Sequence, residues 1–421
     1  MTPSPPPSRA SRSGDASELP LPLWELVALM VAITGLVALS IDMMLPALDD
    51  IAEDLSVQHA NSQQNVIASY LLGFAIAQIV YGPLSDRFGR KPVMMGAIAV
   101  YLIVTLICAL TPSFTLLLLA RFAQGAAAAA SRVITVAIAR DLTSGRRMAE
   151  IMSLVMTAFM AVPVLAPAMG QLIMVVADWR WIFGALFVFG VILLAWIQLR
   201  LPETLHPEYR VGLRVRTIAA TFAEALRNRQ LLGYTLAAMA FFGGLYAFLN
   251  SSQQVFVETY GLGDNQFPLA FAAIATGMGV MSFINSRLVQ RLGQRRLAHT
   301  ALIIFTSVSL VHTATLLMGV QSTAAFLVLL AVSLAALGLI AANFSSIAME
   351  PMGHIAGTAS AAYGVVSGIG GTFFGWAIGQ LYDGTAIPLI AGQTLLGAAA
   401  IAIILVTEGG RLFGTGDEAH H

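Results

Sequence analysis

Long apolar runs, repeated along almost the whole chain, constrain this sequence more than any other feature. A helix rising 1.5 Å per residue needs about 20 apolar residues to cross a hydrocarbon core. Twelve runs meet that need, at residues 23–47, 64–84, 92–111, 114–139, 150–176, 180–200, 231–257, 267–289, 298–319, 322–347, 356–381 and 386–406. Only 10% of the residues are charged, against about a quarter in soluble proteins. Water would leave such a chain without enough polar surface to cover its core, whereas lipid suits it. The expected fold is an all-α membrane protein, its twelve transmembrane helices set in two pseudo-symmetric six-helix bundles. The first run exceeds the roughly 7–15 residues of a signal-peptide core and is read as a retained span.

Basic residues orient the chain. With the N-terminus in the cytoplasm, 19 of the 22 Lys and Arg fall on the cytoplasmic side; Arg121 and Arg132 lie within a span and Arg180 outside. The positive-inside rule therefore places both termini in the cytoplasm. The acidic first outer loop (Asp49, Asp50, Glu53, Asp54) agrees. The expected division is a disordered cytoplasmic tail over 1–21, a six-helix bundle over 22–200, a cytoplasmic linker over 201–230, a second bundle over 231–407 and a short tail over 408–421. The linker carries Glu203, Arg210, Arg214, Arg216, Arg227 and Arg229. It reads either as a basic amphipathic helix on the membrane surface or as a solvated connection.

The two halves echo each other. Shifted by 204 residues, Leu84 meets Leu288, Arg87 meets Arg291, Gly89 meets Gly293 and Lys91 meets Arg295, each set following the second span of its half. Parallel six-span halves about an axis normal to the membrane are a transporter architecture, with a cavity between the halves that rocking exposes to either side.

The run Gly82-Pro83-Leu84-Ser85-Asp86-Arg87-Phe88-Gly89-Arg90-Lys91-Pro92 resembles the signature loop of the major facilitator superfamily, Gly-x-Leu-(Ser/Ala)-Asp-Arg-x-Gly-Arg-(Arg/Lys)-Pro. The resemblance implies that Gly82, Asp86, Arg87, Gly89, Arg90 and Lys91 form a cytoplasmic latch, with a tight turn at Gly89 and with Asp86 pairing with the basic residues or capping a helix N-terminus. Three further segments resemble the twelve-span drug/proton antiporters of the Bcr/CflA type: Asp42-Met43-Met44-Leu45-Pro46-Ala47 closing span 1, Arg121-Phe122-Ala123-Gln124-Gly125 in span 4, and Pro163 to Gly170 in span 5. The last departs from the fullest antiporter motif, in which glycine often stands at Ala166 or Gln171. The resemblance implies proton-coupled antiport.

Ionisable groups inside a span are expensive and are functional candidates. Asp42 is the candidate proton carrier, because alternating access would change the balance of desolvation and nearby charge that sets its proton affinity, with a structural helix-end or gate residue beside Pro46 as the alternative. Arg121 stays charged, so its expected role is to modulate that carboxyl or to bind substrate, with donation to facing backbone carbonyls as the structural alternative and Gln124 orienting it. Arg132 is read as snorkelling towards the cytoplasmic end, and His312 as a packing residue. Pro163 and Pro167 interrupt the same hydrogen-bond ladder, so span 5 should bend as a gate helix, with Gly170 admitting a close neighbour. Tyr70, Gln78, Gln124, Phe242, Tyr246, Asn250, Gln253, Asn343 and Tyr363 are candidate lining of a substrate cavity, since aromatic and uncharged polar groups suit amphiphilic molecules.

A nucleotide-binding loop, an H-E-x-x-H metal motif and a cysteine cluster are all missing, and Cys108 is the only cysteine. A membrane enzyme or receptor is therefore disfavoured, and no metal or organic cofactor is expected beyond the proton as coupling ion. A net charge of zero does not suggest a nucleic-acid partner. The expected partners are a small-molecule substrate and membrane lipid, with the chain acting as a monomer. The function this implies is export of drugs or amphiphilic metabolites across the bacterial inner membrane. A dedicated metabolite exporter or a proton symporter on the same fold is the alternative.

Overall fold

The computed structural model describes residues 19–143, 145–210, 215–263 and 265–414. Regular structure among them is helical throughout. Twelve helices are long and apolar enough to cross a membrane: Leu23–Asp54, Asn61–Phe88, Arg90–Leu110, Phe114–Leu142, Glu150–Val176 and Arg180–Arg200, then Arg229–Thr259, Gln266–Leu292, Gln294–Leu317, Thr323–Gly353, Ala356–Gln380 and Ile387–Thr407. They are called spans 1 to 12 below. Most of the expected N-terminal tail (1–18) and the end of the C-terminal one (415–421) lie outside the described residues, as does Arg214 of the linker.

Local chemistry explains where the helices stop and turn. Spans 2 and 3 meet at Gly89 (φ +104°), and spans 8 and 9 meet at Gly293 (φ +81°). A side chain is strained at such angles, so the echo between the halves is a repeated backbone requirement. Spans 4, 7 and 10 begin with side-chain caps: Ser113, Asn228 and Ser322 accept from the amides of Leu116, Leu231 and Ala325. Span 1 stops being α-helical after Asp42 and continues through a 3₁₀ turn over Leu45–Ala47, where Pro46 cannot donate to the carbonyl of Asp42. Span 5 breaks at Met160, between helices Gly145–Phe159 and Ala161–Val176. The residue lacking an N–H for the Phe159 carbonyl is Pro163, so the bend falls one turn before the first proline, while Pro167 sits inside the second helix.

Packing repeats between the halves. In the first, span 4 packs on spans 1, 2 and 3, span 3 packs on span 6, and span 1 also meets spans 5 and 6. In the second, span 10 packs on spans 7, 8 and 9, span 9 packs on span 12, and span 7 also meets spans 11 and 12. The halves touch chiefly through two symmetry-related pairs, span 2 on span 11 and span 5 on span 8, with span 7 also meeting spans 1 and 2. Glycine permits the closest approaches: a Cβ on Gly125 would strike the Tyr70 carbonyl of span 2, and one on Gly170 would strike the Met43 carbonyl at the bend of span 1. Large apolar side chains such as Leu110, Leu172 and Val176 face outwards, the inversion expected where lipid is the solvent.

The connection between the halves contains a helix, Val215–Arg227. Ala225 is buried and Phe222 half-buried, and the helix packs on span 11 and on the start of span 7. It thus lies across the bundle end.

Candidate functional site

The interior of the first half is organised by one arginine. Arg121 is fully buried. Its Nε donates to the Val66 carbonyl of span 2 (3.2 Å), one terminal nitrogen to the Ser40 carbonyl of span 1 (3.0 Å) and the other to Gln124 Oε1 (2.7 Å). Gln124 Nε2 donates onward to Thr105 of span 3 (2.8 Å), and Tyr101 of the same span shares a 2.7 Å bond with the Ser40 hydroxyl. The guanidinium lies 4.5 Å from the centre of the Tyr70 ring. The Ser40 carbonyl is available because the helix ends nearby: the amide of Met44, four residues on, bonds instead to Ile41. Arg121 therefore ties four spans together, each of its three nitrogens donating one bond, and Tyr70 and Gln124 belong to this network.

Asp42 sits where span 1 bends, only 6% exposed. No described residue hydrogen-bonds or ion-pairs with its carboxylate, and Arg121 is committed elsewhere. The guanidinium lies instead over the Tyr70 ring. The wall behind the bend is span 5 at Gly170. A buried, unpartnered carboxylate at a bend held by a broken helix can gain or lose a proton as that helix moves.

The two membrane faces differ sharply. At the face opposite the chain ends, the halves are sealed by direct bonds. Gln64 Nε2 donates to Gln254 Oε1 (2.5 Å) and to the Gly379 carbonyl (3.0 Å). Asn61 donates to the carbonyls of Gln380 (3.0 Å) and Tyr382 (2.9 Å), and Trp376 donates to Asn65 (2.8 Å). Gln253 bonds to Asp49 across the same seam, so it belongs to this seal.

At the face carrying the Gly82–Lys91 loop, a cavity of about 250 Å³ opens between spans 2, 4 and 11. Gln78 and Tyr363 line it, with Gly82, Asp86, Arg90, Arg132, Arg140 and Phe222 of the connecting helix. Phe242 and Tyr246 stack on one another (5.7 Å between ring centres) and pack against Gly371 and Gly375 of span 11. Asn343 is held by Asn285 (2.7 Å) between spans 10 and 8, and Asn250 is buried with neither amide atom bonded. Eight of the nine cavity candidates thus divide among the Arg121 network, the far seal, helix contacts and the cavity, and Asn250 joins none of these groups. Arg132, expected to snorkel towards the cytoplasmic end, lines the cavity at the loop face. It lies about ten residues, or roughly 15 Å, inside the end of span 4, and it projects into the cavity.

The loop itself is fastened within its own half. Arg90 bonds Asp86 (2.6 Å), Ser85 (2.8 Å) and Asp141 at the end of span 4 (2.8 Å). Lys91 Nζ donates to the Gln198 carbonyl (2.9 Å), and Arg87 lies over Phe88. Glu203, rather than Asp86, caps the start of span 3: it accepts from the amides of Arg90 (2.9 Å) and Lys91 (3.3 Å) while also bonding its own neighbour Leu205. Its position in the polar connection gave no hint of that task. The second half has a counterpart cage, in which Arg295 pairs with Glu350 (2.8 Å) and Glu408 (3.2 Å). The described residues offer no group of three or more His, Cys, Asp or Glu placed to hold a metal.

The description "Major Facilitator Superfamily" matches residues 30–375. An uncharacterized MFS-type transporter, YdgK, of Bacillus subtilis is 33% identical over 86% of this chain and 89% of its own length. A bicyclomycin resistance protein homolog of Haemophilus influenzae is 31% identical over 87% and 90%. The xylose transporter XylE of E. coli, in a partially occluded inward open conformation, superposes with a TM-score of 0.73 at 13% identity, covering 91% of this chain and 97% of its own; that likeness speaks for the fold alone. The chain belongs to the major facilitator superfamily, as a multi-pass membrane transport protein for small molecules and not an enzyme.

Proposed function

We propose that this member of the superfamily is a proton-coupled antiporter of the Bcr/CflA type, exporting small organic compounds across the bacterial inner membrane by alternating access. The observation that carries the reading is the asymmetry of the two faces: a cavity open beside the Gly82–Lys91 loop and a seal at the opposite end. The positive-inside rule makes the loop face cytoplasmic, so the structure described here is inward-facing and ready to load from the cytoplasm. Export requires the seal of Asn61, Gln64, Gln253 and Gln254 to part while the loop face closes, with Gly82 to Lys91 acting as the latch. Asp42 is the proton carrier, and span 5, through Pro163, Pro167 and Gly170, transmits the motion to it. Arg121 holds the bend of span 1 in register and supplies a fixed positive field near the carboxyl. The resistance-protein relative supports drugs or amphiphilic metabolites as cargo.

The test uses protein reconstituted in liposomes with a pH-sensitive dye inside and an imposed pH gradient. Addition of an exported compound should move protons in the direction opposite to the compound, saturably. Compound-driven proton movement in the same direction would identify a symporter. Saturable transport with no pH response would remove proton coupling.

A further inference from the structure

The cavity at the loop face is cationic, and that bears on what enters it. Arg132 and Arg140 lie eight residues apart on one face of span 4, about 12 Å along the axis, and both line the cavity exposed. Neither has an ion-pair partner among the described residues. Of the lining residues only Asp86 is acidic, and it is paired with the third arginine, Arg90. On the opposite wall stands Tyr363, 4% exposed, its hydroxyl bonded to no described residue. Thr358 and Ser360 line the cavity beside it from the first turns of span 11. An arginine, an unpartnered phenol and two side-chain hydroxyls thus line one cavity, and its one carboxylate, Asp86, is already paired.

We infer that the compounds bound here are organic anions, amphiphiles bearing a carboxylate, sulfonate or phosphate, with Arg132 taking the charged group and Tyr363 donating to it. The inference rests on the proposed reading of this cavity as the loading site and specifies its substrate class. It also supplies a reason for obligatory loading. An unpaired guanidinium deep in a span is tolerable while water reaches it. Closure of the loop face would strip that water, and a bound anion would neutralise the charge first. The loaded carrier closes; the empty one resists.

The test is equilibrium binding of 2-naphthoate and its neutral isostere 2-naphthamide to the purified full chain in phosphatidylcholine nanodiscs. Wild type should prefer the acid by about tenfold or more, as expected for a hydrogen-bonded charge. Added salt should weaken acid binding and leave the amide unaffected. Arg132→Gln should abolish the preference, Arg132→Lys should retain much of it, and Tyr363→Phe should reduce it. Equal affinities in wild type, or a preference untouched in Arg132→Gln, would overturn the inference, and the salt dependence of wild type decides the matter if that variant fails to assemble. A preference that vanishes when phosphatidylglycerol is included would assign the site to a lipid headgroup and equally remove the substrate claim. The two readings fail separately: proton movement driven by a neutral compound, with naphthoate unbound, leaves antiport standing, whereas naphthoate bound without coupled protons leaves the anion site standing.

Discussion

The two halves share a plan and differ in what fills it. The 204-residue shift that aligns Gly89 with Gly293 also places Tyr101 opposite Phe305, Thr105 opposite Ser309, Cys108 opposite His312 and Asp42 opposite Tyr246. In the first half Tyr101 and Thr105 join Arg121, through Ser40 and Gln124, in one hydrogen-bonded network. In the second half the same register holds an aromatic cluster. Phe326 packs on His312, Phe256 and Tyr260, and the Ser309 hydroxyl and both His312 nitrogens are buried without a partner. A buried polar network fixes one geometry because every member depends on the others. The difference is one of chemistry: a hydrogen-bonded arginine network in the first half, an aromatic cluster in the second.

The comparison can be broken most directly at Arg121. Arg121→Leu should strand the Val66 and Ser40 carbonyls and Gln124, lowering stability by roughly 3 kcal/mol and abolishing transport; thermal unfolding in detergent that matches wild type would show that the network is not structural. Gly125→Leu should drive a side chain into the Tyr70 backbone and separate spans 2 and 4. An overpacking loss of roughly 1–3 kcal/mol is expected, measured the same way, and an unchanged midpoint would contradict the close approach. Glu203→Gln should weaken the cap on span 3 by about 1 kcal/mol. Faster amide exchange at Arg90 and Lys91 would report it, and unaltered exchange would show that the cap is idle. The smallest effect sharpens the contrast. His312→Phe replaces an unpartnered polar ring in an aromatic setting, so stability should hold within about 0.5 kcal/mol or rise. A marked loss would mean that the imidazole is engaged as the network residues are.

How much of this was legible in the sequence follows the same division. The spans announced themselves, because an apolar run of crossing length has few other uses. The turn at Gly89 was legible because the motif needs a positive φ, and the echo at Gly293 repeats that need. Gln124 orienting Arg121 was readable from a three-residue spacing on one helix. Hydropathy gives no azimuth for a helix buried among others, and there the reading ran out. It therefore could not tell that Gln253 faces the seal and Asn343 faces Asn285, or that Arg132 points into the cavity. Glu203 was invisible for another reason: its role depends on a chain reversal that brings residue 203 to the start of span 3.

The central claim is that the proton is carried in the first half, at Asp42, while the second half's buried titratable ring takes no part. Substrate-driven proton movement should be measured in liposomes for wild type, Asp42→Asn and His312→Phe, after confirming equal insertion. The account predicts that the movement disappears in Asp42→Asn and persists in His312→Phe. Persistence in Asp42→Asn with loss in His312→Phe would contradict it.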